Sequence, residues 1–389
     1  MHSTIYKRFS VAVCISLVLV NQSLSALAQS LPVSTSTGSP SAPLALSDAS
    51  GVKLAPHEFK LGQIQGLCWE KPGESTAIVV CLHGLTLSAN SYSSFGSALS
   101  GRGLIVFAPE LSGITHRDDI YKFDQKLNLD KTVRDINWLV GELKRRYPYK
   151  PLFLFGESLG GAVAIRSAAH SQENLSGLIC IAPSWKYNKE KTLVVRGVMA
   201  VLTGRNVVRS VTRTVIPMVT SDRQLQERLR NDAFLKKSYS LAETLLALRF
   251  LDRTGNAAKR VDVPALVLQG LNDHMGSAKG TAVLVRSMSS RRKEFVLLGG
   301  MEHLIAEDVN IDDRVGSLIE DWIKDAEAGA ASSGITTTVF IGNRPVPPIA
   351  ESLFKIAGGN KFSELSVKRI DSLKSNLQAT DASIEISAQ

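Results

Sequence analysis

The chain has 389 residues, four of them cysteine, and a formal net charge of +9 at pH 7. So few cysteines in so long a chain exclude a disulfide-built scaffold. There is no internal repeat, no cluster with metal-ligand spacing and no phosphate-cradling loop, and the basic stretches lack the aromatic interleaving of a nucleic-acid groove.

The N-terminus opens with Lys7-Arg8, a mostly apolar run from Phe9 to Val20, and Ala26-Leu27-Ala28. A basic region, a hydrophobic region and an A-x-A site read as a secretory signal over residues 1–28, cut after Ala28. The apolar run is short for a bilayer span, so a retained anchor is the weaker alternative. The expected location is periplasmic or extracellular. Cleavage leaves Cys68, Cys81 and Cys180, and the last two fall in predicted core strands as buried thiols. Residues 29–55, rich in Ser, Thr, Pro and Ala, read as a flexible leader.

From there strands and helices alternate. The predicted strands are Ala77–Leu82, Leu104–Phe107, Pro151–Phe155, Gly177–Ile181, Val263–Gly270 and Glu294–Leu298. Helices are predicted near Leu129–Tyr147, Leu159–His170 and Asp312–Lys324, with another starting near Ser277. The apolar strands carry few polar positions, which implies a mostly parallel sheet flanked by helices on both faces, an α/β fold.

The most informative segment is Gly156-Glu157-Ser158-Leu159-Gly160, between a strand and a helix. Gly-x-Ser-x-Gly in that context lifts the serine Oγ above the carboxyl edge of the sheet. The flanking Gly156 and Gly160 answer the crowding of so sharp a turn. A glycine-rich turn with an incidental serine would look the same in isolation, so the partners decide. A serine hydroxyl needs a base, and the base an acid to orient it. Asp273 follows the strand ending at Gly270, and His303 follows the strand ending at Leu298. The chain order Ser158, Asp273, His303 is the order this fold requires. His274 is a rival base on the wrong loop. Asp252, Asp262 and Glu302 are rival acids, and Asp262 precedes its strand. Asn272 and Asp273 would also suit a helix cap near Ser277. The strand Ala77–Leu82 runs into His83-Gly84-Leu85. There Gly84 permits close backbone approach, and the N–H groups of Leu85 and Leu159 are the expected oxyanion hole, each worth roughly 3–4 kcal/mol in the transition state. His83 is expected to brace the turn rather than react.

Together, strand-His83-Gly84-Leu85, Gly156-Glu157-Ser158-Leu159-Gly160-Gly161, Gly270-Leu271-Asn272-Asp273 and Glu302-His303 resemble the α/β-hydrolase superfamily. Within it the chain looks most like the monoacylglycerol lipase and lysophospholipase group, which includes serine-aminopeptidase-like members. The resemblance covers roughly residues 55–325. It implies a catalytic Ser158, Asp273 and His303, an oxyanion hole at Leu85 and Leu159, and no cofactor or metal. The loop after the predicted strand Leu104–Phe107 departs from the Asp-x-x-Gly-x-Gly of many relatives and reads Pro109-Glu110-Leu111-Ser112-Gly113.

Between residues 184 and 260 the alternation stops and the segment reads as helical, at the position of the family's cap insertion. The core is thus split into 56–183 and 261–325 around a cap of 184–260. The cap holds 16 Lys/Arg against 6 Asp/Glu, a net of +10 in a chain whose total is +9. Arg205, Arg209 and Arg213 share a helical face, interleaved with valines. Such a face could lie on an anionic membrane surface or be an ordinary solvated one. Residues 326–389 read as a linker and a C-terminal tail outside the hydrolase, with Phe362, Leu365, Ile370, Leu373 and Leu377 roughly on one helical face.

The expected activity is that of a secreted serine hydrolase. It would cleave carboxylic esters of lipid-like substrates, monoacylglycerol or lysophospholipid, through an acyl-enzyme. The expected partners are a lipid or small ester, with no nucleic acid. An acyltransferase or an amide-cleaving peptidase would use the same residues, and a non-catalytic binding protein is the remaining alternative.

Overall fold

Five segments whose every residue is buried, Ala77–Leu82, Leu104–Pro109, Leu152–Glu157, Gly177–Ile181 and Ala265–Gly270, dictate the centre of the fold. A strand apolar on both faces must be covered on both, which is the situation of an inner strand of a parallel sheet. The computed structural model describes residues 54–73, 75–85, 87–114, 126–186, 215–232, 241–307, 313–328, 334–340, 352–353 and 356–357. All belong to one unit made of Ser47–Glu190 and Val208–Gln389. The signal, the leader up to residue 53, and Arg205, Arg209 and Arg213 lie outside the described residues, as does the helical face predicted from Phe362 to Leu377.

The strands are β1 (His57–Leu61), β2 (Ile64–Trp69), β3 (Ala77–Leu82), β4 (Leu104–Pro109), β5 (Leu152–Glu157), β6 (Gly177–Ile181), β7 (Ala265–Gly270), β8 (Arg292–Leu298) and β9 (Gly334–Phe340). They form one sheet in the order β1-β2-β4-β3-β5-β6-β7-β8-β9. The β1–β2 and β2–β4 pairs are antiparallel and all the others are parallel. The helices are α1 (Ser93–Gly101), α2 (Leu129–Arg146), α3 (Leu159–Ala168), α4 (Ile216–Val219), α5 (Arg223–Asn231), α6 (Leu241–Ala258), α7 (Ala278–Ser287) and α8 (Asp313–Glu327).

Strand alternation sorts the core into two layers. On one face Ile78, Val80, Leu82, Leu154, Cys180 and Val267 meet side chains of α2, α3, α6 and α7. On the other, Val79, Cys81, Phe155, Ile179 and Leu268 meet Phe95 and Leu99 of α1 and Ile319 and Trp322 of α8. Burying each Leu, Ile or Phe of these layers contributes roughly 1.5–3 kcal/mol. The helix signals are local. Asn128 caps α2 by accepting from the Lys131 N–H, Asp130 sits in its first turn, and Lys144, Arg145 and Arg146 close it, in accord with the helix dipole. The thiols of Cys68, Cys81 and Cys180 are free and buried, and burial pushes Cys68 up to about 12, so it is held as an unreactive thiol.

Two boundaries differ from the sequence reading. The stretch read as linker and tail supplies β9, which pairs in parallel with β8 from Gly334 beside Arg292 to Phe340 beside Leu298. Leu353 and Ala357, also from that stretch, are buried in the main core. Ile335, Thr336, Thr337, Thr338 and Val339 are β-branched and suit a strand, and α8 is the crossover that a parallel neighbour requires. The segment 184–260 is not all cap. Its last helix, α6, buries Phe250, Leu251, Ala257 and Ala258 in the layer that holds α2 and α3. Arg166 of α3 stacks on the Phe250 ring at 4.1 Å, which ties α6 to the core rather than to the site.

Candidate active site

The site begins with crowding at the end of β5. A Cβ on Gly156 would meet the Gly160 carbonyl oxygen at 2.3 Å, and one on Gly160 would meet the Leu82 carbonyl oxygen at 1.8 Å. Only glycine lets the chain turn from strand to helix this tightly. Ser158, at the apex, has φ +54° and ψ −118°, a strained conformation for a residue with a Cβ, which costs about 1–3 kcal/mol. Three backbone bonds hold it: its N–H donates to Ile181 O at 3.0 Å, and its carbonyl accepts from Ser184 N at 2.9 Å and Ala162 N at 3.3 Å.

The loops after β7 and β8 bring the other two predicted residues to the same edge. The His303 Nε2–Ser158 Oγ distance is 2.8 Å, and the His303 Nδ1–Asp273 Oδ2 distance is also 2.8 Å. His303 is fully buried, and Ser158 and Asp273 are nearly so. Asp273 is deeply supported. Oδ1 accepts from Met275 N at 2.8 Å and Gly276 N at 2.7 Å, and Oδ2 also accepts from Gln269 Nε2 at 2.8 Å. Gln269 is oriented in turn, because its Oε1 accepts from Thr281 Oγ1 at 2.8 Å. Burial alone would raise the Asp273 pKa. The hydrogen bond and charge of His303, the Gln269 amide and the Gly276 N–H outweigh it and hold the carboxyl below its ordinary value. A buried anion thus receives one ring nitrogen, whose other nitrogen faces a serine hydroxyl. That arrangement can take a proton from Oγ and later return it.

Leu85 lines the same pocket as Ser158 and His303, and Leu159 is the first residue of α3, so its N–H has no intrahelical acceptor. The Gly84 turn is braced as the sequence predicts. His83 is buried, its Nδ1 lies 3.0 Å from Gly84 O, and its Nε2 accepts from Leu111 N at 3.1 Å. With Nε2 accepting, Nδ1 carries the proton and donates. Burial pushes His83 down to about 4, partly opposed by the Gly84 bond, so the ring is neutral and structural. Glu110, from the loop that departs from the family pattern, comes within 3.6 Å of the same ring.

The rival residues go elsewhere. His274 and Asp252 are exposed. Asp262 precedes β7, at the other edge, where its N–H donates to Gln172 Oε1. Glu302 accepts from Ser221 N at 2.6 Å and so joins the His303 loop to the cap. The helix after Asp273 is capped by Ser277, whose Oγ accepts from Gly280 N. Residues that the sequence reading passed over complete the site. Ser184 Oγ lies 3.2 Å from Ser158 Oγ, Gln269 and Thr281 support Asp273, and Glu157 and Glu307 are buried beneath the loops. A glutamine inside the otherwise apolar β7 was the signal that could have found Gln269.

Above the hydroxyl is an aliphatic pocket. Leu85 and Leu87 come from the β3 loop, Met275 and Leu304 from the acid and base loops, and Val215, Ile216, Val219 and Leu229 from the cap segment. Asp222 caps α5 by accepting from Gln224 N and Leu225 N, which turns Leu225 and Leu229 inward onto Ile216, Val219 and Leu304. This part of the predicted cap does face Ser158.

Residues 73–310 match the Hydrolase_4 family, described as serine aminopeptidase, S33. Human monoglyceride lipase is 27% identical over 278 residues, covering 68% of this chain and 88% of that protein. The monoacylglycerol lipase of Paleococcus ferrophilus has a similar fold, with a TM-score of 0.53 at 20% identity, covering 65% of this chain and 97% of that one. A soluble variant of Saccharomyces cerevisiae monoglyceride lipase, solved in complex with a substrate analog, gives a TM-score of 0.55 at 16% identity, covering 72% and 97%. The structural likeness establishes the α/β-hydrolase fold. The family match spans more than half of the sequence and encloses Ser158, Asp273 and His303, so the chain belongs to the serine aminopeptidase S33 family of α/β-hydrolases.

Proposed function

We propose that this protein is an exported serine hydrolase that cleaves carboxylic esters of lipid-like substrates, monoacylglycerol or lysophospholipid, through an acyl-enzyme. The observation that carries the reading is the continuous relay Asp273–His303–Ser158 opening into an aliphatic pocket. Ser158 Oγ attacks the ester carbonyl as His303 Nε2 takes its proton. The tetrahedral oxyanion is held by the N–H groups of Leu85 and Leu159. The tetrahedral intermediate collapses, His303 gives the proton to the leaving alcohol, and the acyl group stays on Ser158. Water, deprotonated by His303, then attacks the acyl-enzyme, and fatty acid leaves. Asp273 keeps the His303 proton on Nδ1 and stabilises the imidazolium. The chain's own residues supply every step.

The pocket supports ester over peptide. An aminopeptidase must recognise a cationic α-amine, whereas among the described residues this lining is aliphatic apart from Gly84, Ser158 and His303, which suits an acyl chain. Export rests on the signal over residues 1–28, and an anionic surface is the natural site for so basic a cap. Hydrolysis of p-nitrophenyl esters of increasing chain length, wild type beside Ser158→Ala, tests the reading. Ser158-dependent rates that rise toward long chains are expected, with monoacylglycerol and lysophospholipid in anionic and neutral vesicles next. Substantial activity in Ser158→Ala would refute the mechanism, and activity confined to the shortest esters would refute the lipid-like substrate.

A further inference from the structure

Two carboxyl groups lie beneath the site, and the reaction as derived so far uses neither. Glu157, next to the nucleophile, is fully buried, and Glu307 is 2% exposed. Among the described residues neither has a Lys or Arg partner. Glu157 reaches into the loop that carries His303. Its Oε1 accepts from Ile305 N at 2.6 Å and Ala306 N at 3.4 Å, and its Oε2 accepts from Ala306 N at 3.1 Å and Glu307 N at 2.8 Å. Glu307 reaches on from that loop to the next, where its Oε1 accepts from Gly84 N at 2.8 Å. Gly84 is one residue before the Leu85 N–H of the oxyanion hole.

We propose that Glu157 and Glu307 are positioning residues that couple the three loops of the site. Glu157 fixes the His303 loop to the nucleophile turn, and Glu307 fixes the oxyanion loop to the His303 loop. This inference rests on the acyl-transfer reading of the site. Two negative charges buried side by side without a cation are prohibitive. The donors decide which group keeps its charge. Burial raises the Glu157 carboxyl to about 7, opposed by the N–H groups of Ile305, Glu307 and Ala306, and with the charge of Glu157 it raises Glu307 well above its ordinary value, so Glu157 ionises first. Glu307 has one N–H on Oε1, while Oε2 is buried with no partner and would lie 3.0 Å from a Cβ on Gly84. Glu307 therefore carries the proton. The titratable groups that face the pair are Tyr92 from the turn after β3, Cys81 from β3 itself, and His303. Tyr92 donates its hydroxyl proton to Leu82 O, so the same hydroxyl can meet Glu307 only as an acceptor of the Glu307 proton, and burial holds the Cys81 thiol protonated. Neither offers a positive charge to a second carboxylate. Ionising Glu307 would place like charge beside Glu157, swell the contact and draw Gly84 out of register.

The test compares Glu307→Leu and Glu307→Gln with the wild type. The readouts are kcat and KM on a p-nitrophenyl ester, the rate of Ser158 labelling by a fluorophosphonate, and the pH profile. Removing an oxyanion donor outright costs about 10²–10³-fold in kcat. Displacing one by loss of the Gly84 anchor should cost Glu307→Leu about 30–100-fold in kcat and in labelling rate, with KM within about threefold. Glu307→Gln keeps an oxygen for the Gly84 N–H and cannot ionise. The wild type is expected to lose activity at alkaline pH as Glu307 ionises, and Glu307→Gln should recover to within about fivefold of wild type and lack that fall. If Glu307→Leu does not fold, the Glu307→Gln profile decides: a lost alkaline fall supports the proposal, and a profile superimposable on wild type overturns it. Equal losses in both variants, or a labelling rate in Glu307→Leu within threefold of wild type, also overturn it. A wild type that is not labelled at all refutes the hydrolase reading itself, and the inference with it.

Discussion

Asp273→Asn is the change that separates orientation from mere presence in this site. The amide cannot enter in either sense without conflict. Met275 N and Gly276 N both donate to Oδ1, at 2.8 and 2.7 Å, so the amide oxygen must occupy that position. Its NH2 then replaces Oδ2, where it faces two donors, Gln269 Nε2 and His303 Nδ1–H, each at 2.8 Å. Gln269 is held with its NH2 toward Asp273, because Thr281 Oγ1 donates to its Oε1. The only relief is at His303, which moves its proton to Nε2 so that Nδ1 accepts. Nε2–H then donates to Ser158 Oγ and cannot take the serine proton. A wrong-tautomer triad loses about 10⁴-fold in kcat, or about 5.5 kcal/mol of transition-state stabilisation. The donor–donor contact with Gln269 removes roughly a further 1–3 kcal/mol from stability. Steady-state hydrolysis of a p-nitrophenyl ester gives kcat and KM, and urea unfolding gives the stability. A kcat within tenfold of wild type, with the fold intact, would refute the tautomer argument and demote Asp273 to a loop residue.

Further outcomes follow from the same contacts. Gly160→Ala sets a Cβ 1.8 Å from the Leu82 carbonyl oxygen, a backbone atom that cannot swing away. It should destabilise by more than about 3 kcal/mol and depress kcat at least tenfold, both read from melts and rates on purified protein. Gln269→Leu strips one donor from Asp273 and the acceptor from Thr281. A roughly tenfold lower kcat with unchanged KM is expected, and an unaltered kcat would count against this support. His83 is buried neutral with its pKa near 4 against an ordinary 6.5, so the unfolded chain takes up the proton first as pH falls from 6.5 to 4. The stability it contributes is complete above 6.5, and about 3 kcal/mol of it is lost by pH 4. Urea midpoints of wild type and His83→Gln should therefore converge toward pH 4, and a pH-independent gap would refute the assignment.

What was legible in the sequence was whatever is encoded by distance along the chain. Ser158, Asp273 and His303 were found because each follows a short apolar run, and in a parallel sheet the ends of such runs share an edge. Gly156 and Gly160 each lie two residues from Ser158, so the motif itself marks them, although the atom Gly160 makes room for belongs to Leu82. Glu157 and Glu307 were not legible, although one lies inside the motif and the other four residues past His303. Their partners are backbone N–H groups at separations of 148 to 223 residues, which no local pattern records. β9 was missed for a different reason. Ala328, Gly329, Ala330, Ala331, Ser332 and Ser333 read as linker, and the run Thr336-Thr337-Thr338 shows no apolar–polar alternation by which a strand could be recognised. The amphipathic α6 would fit a cap or a core equally well, and only Phe250 and Leu251 packed beneath α3 distinguish the two.

The strain at Ser158 explains why so many separate elements converge on one residue. A φ of +54° on a serine costs about 1–3 kcal/mol, and a single hydrogen bond contributes only about 0.5–1.5 kcal/mol net. No one contact could hold the turn. The carbonyl of Ser158 is held by Ala162 and Ser184, its N–H by β6, and the preceding Glu157 side chain by three N–H groups of the His303 loop. Gly160 lies flat against the end of β3, where any side chain would collide with Leu82. Ser158 is thereby fixed relative to β3, β6 and His303 at once. Relaxing the serine to an ordinary helical φ would require breaking contacts with all three. The same fixation places Oγ within 2.8 Å of His303 Nε2 in the resting protein, so that in the acyl transfer proposed above little reorganisation would remain for the step in which charge develops on the carbonyl oxygen.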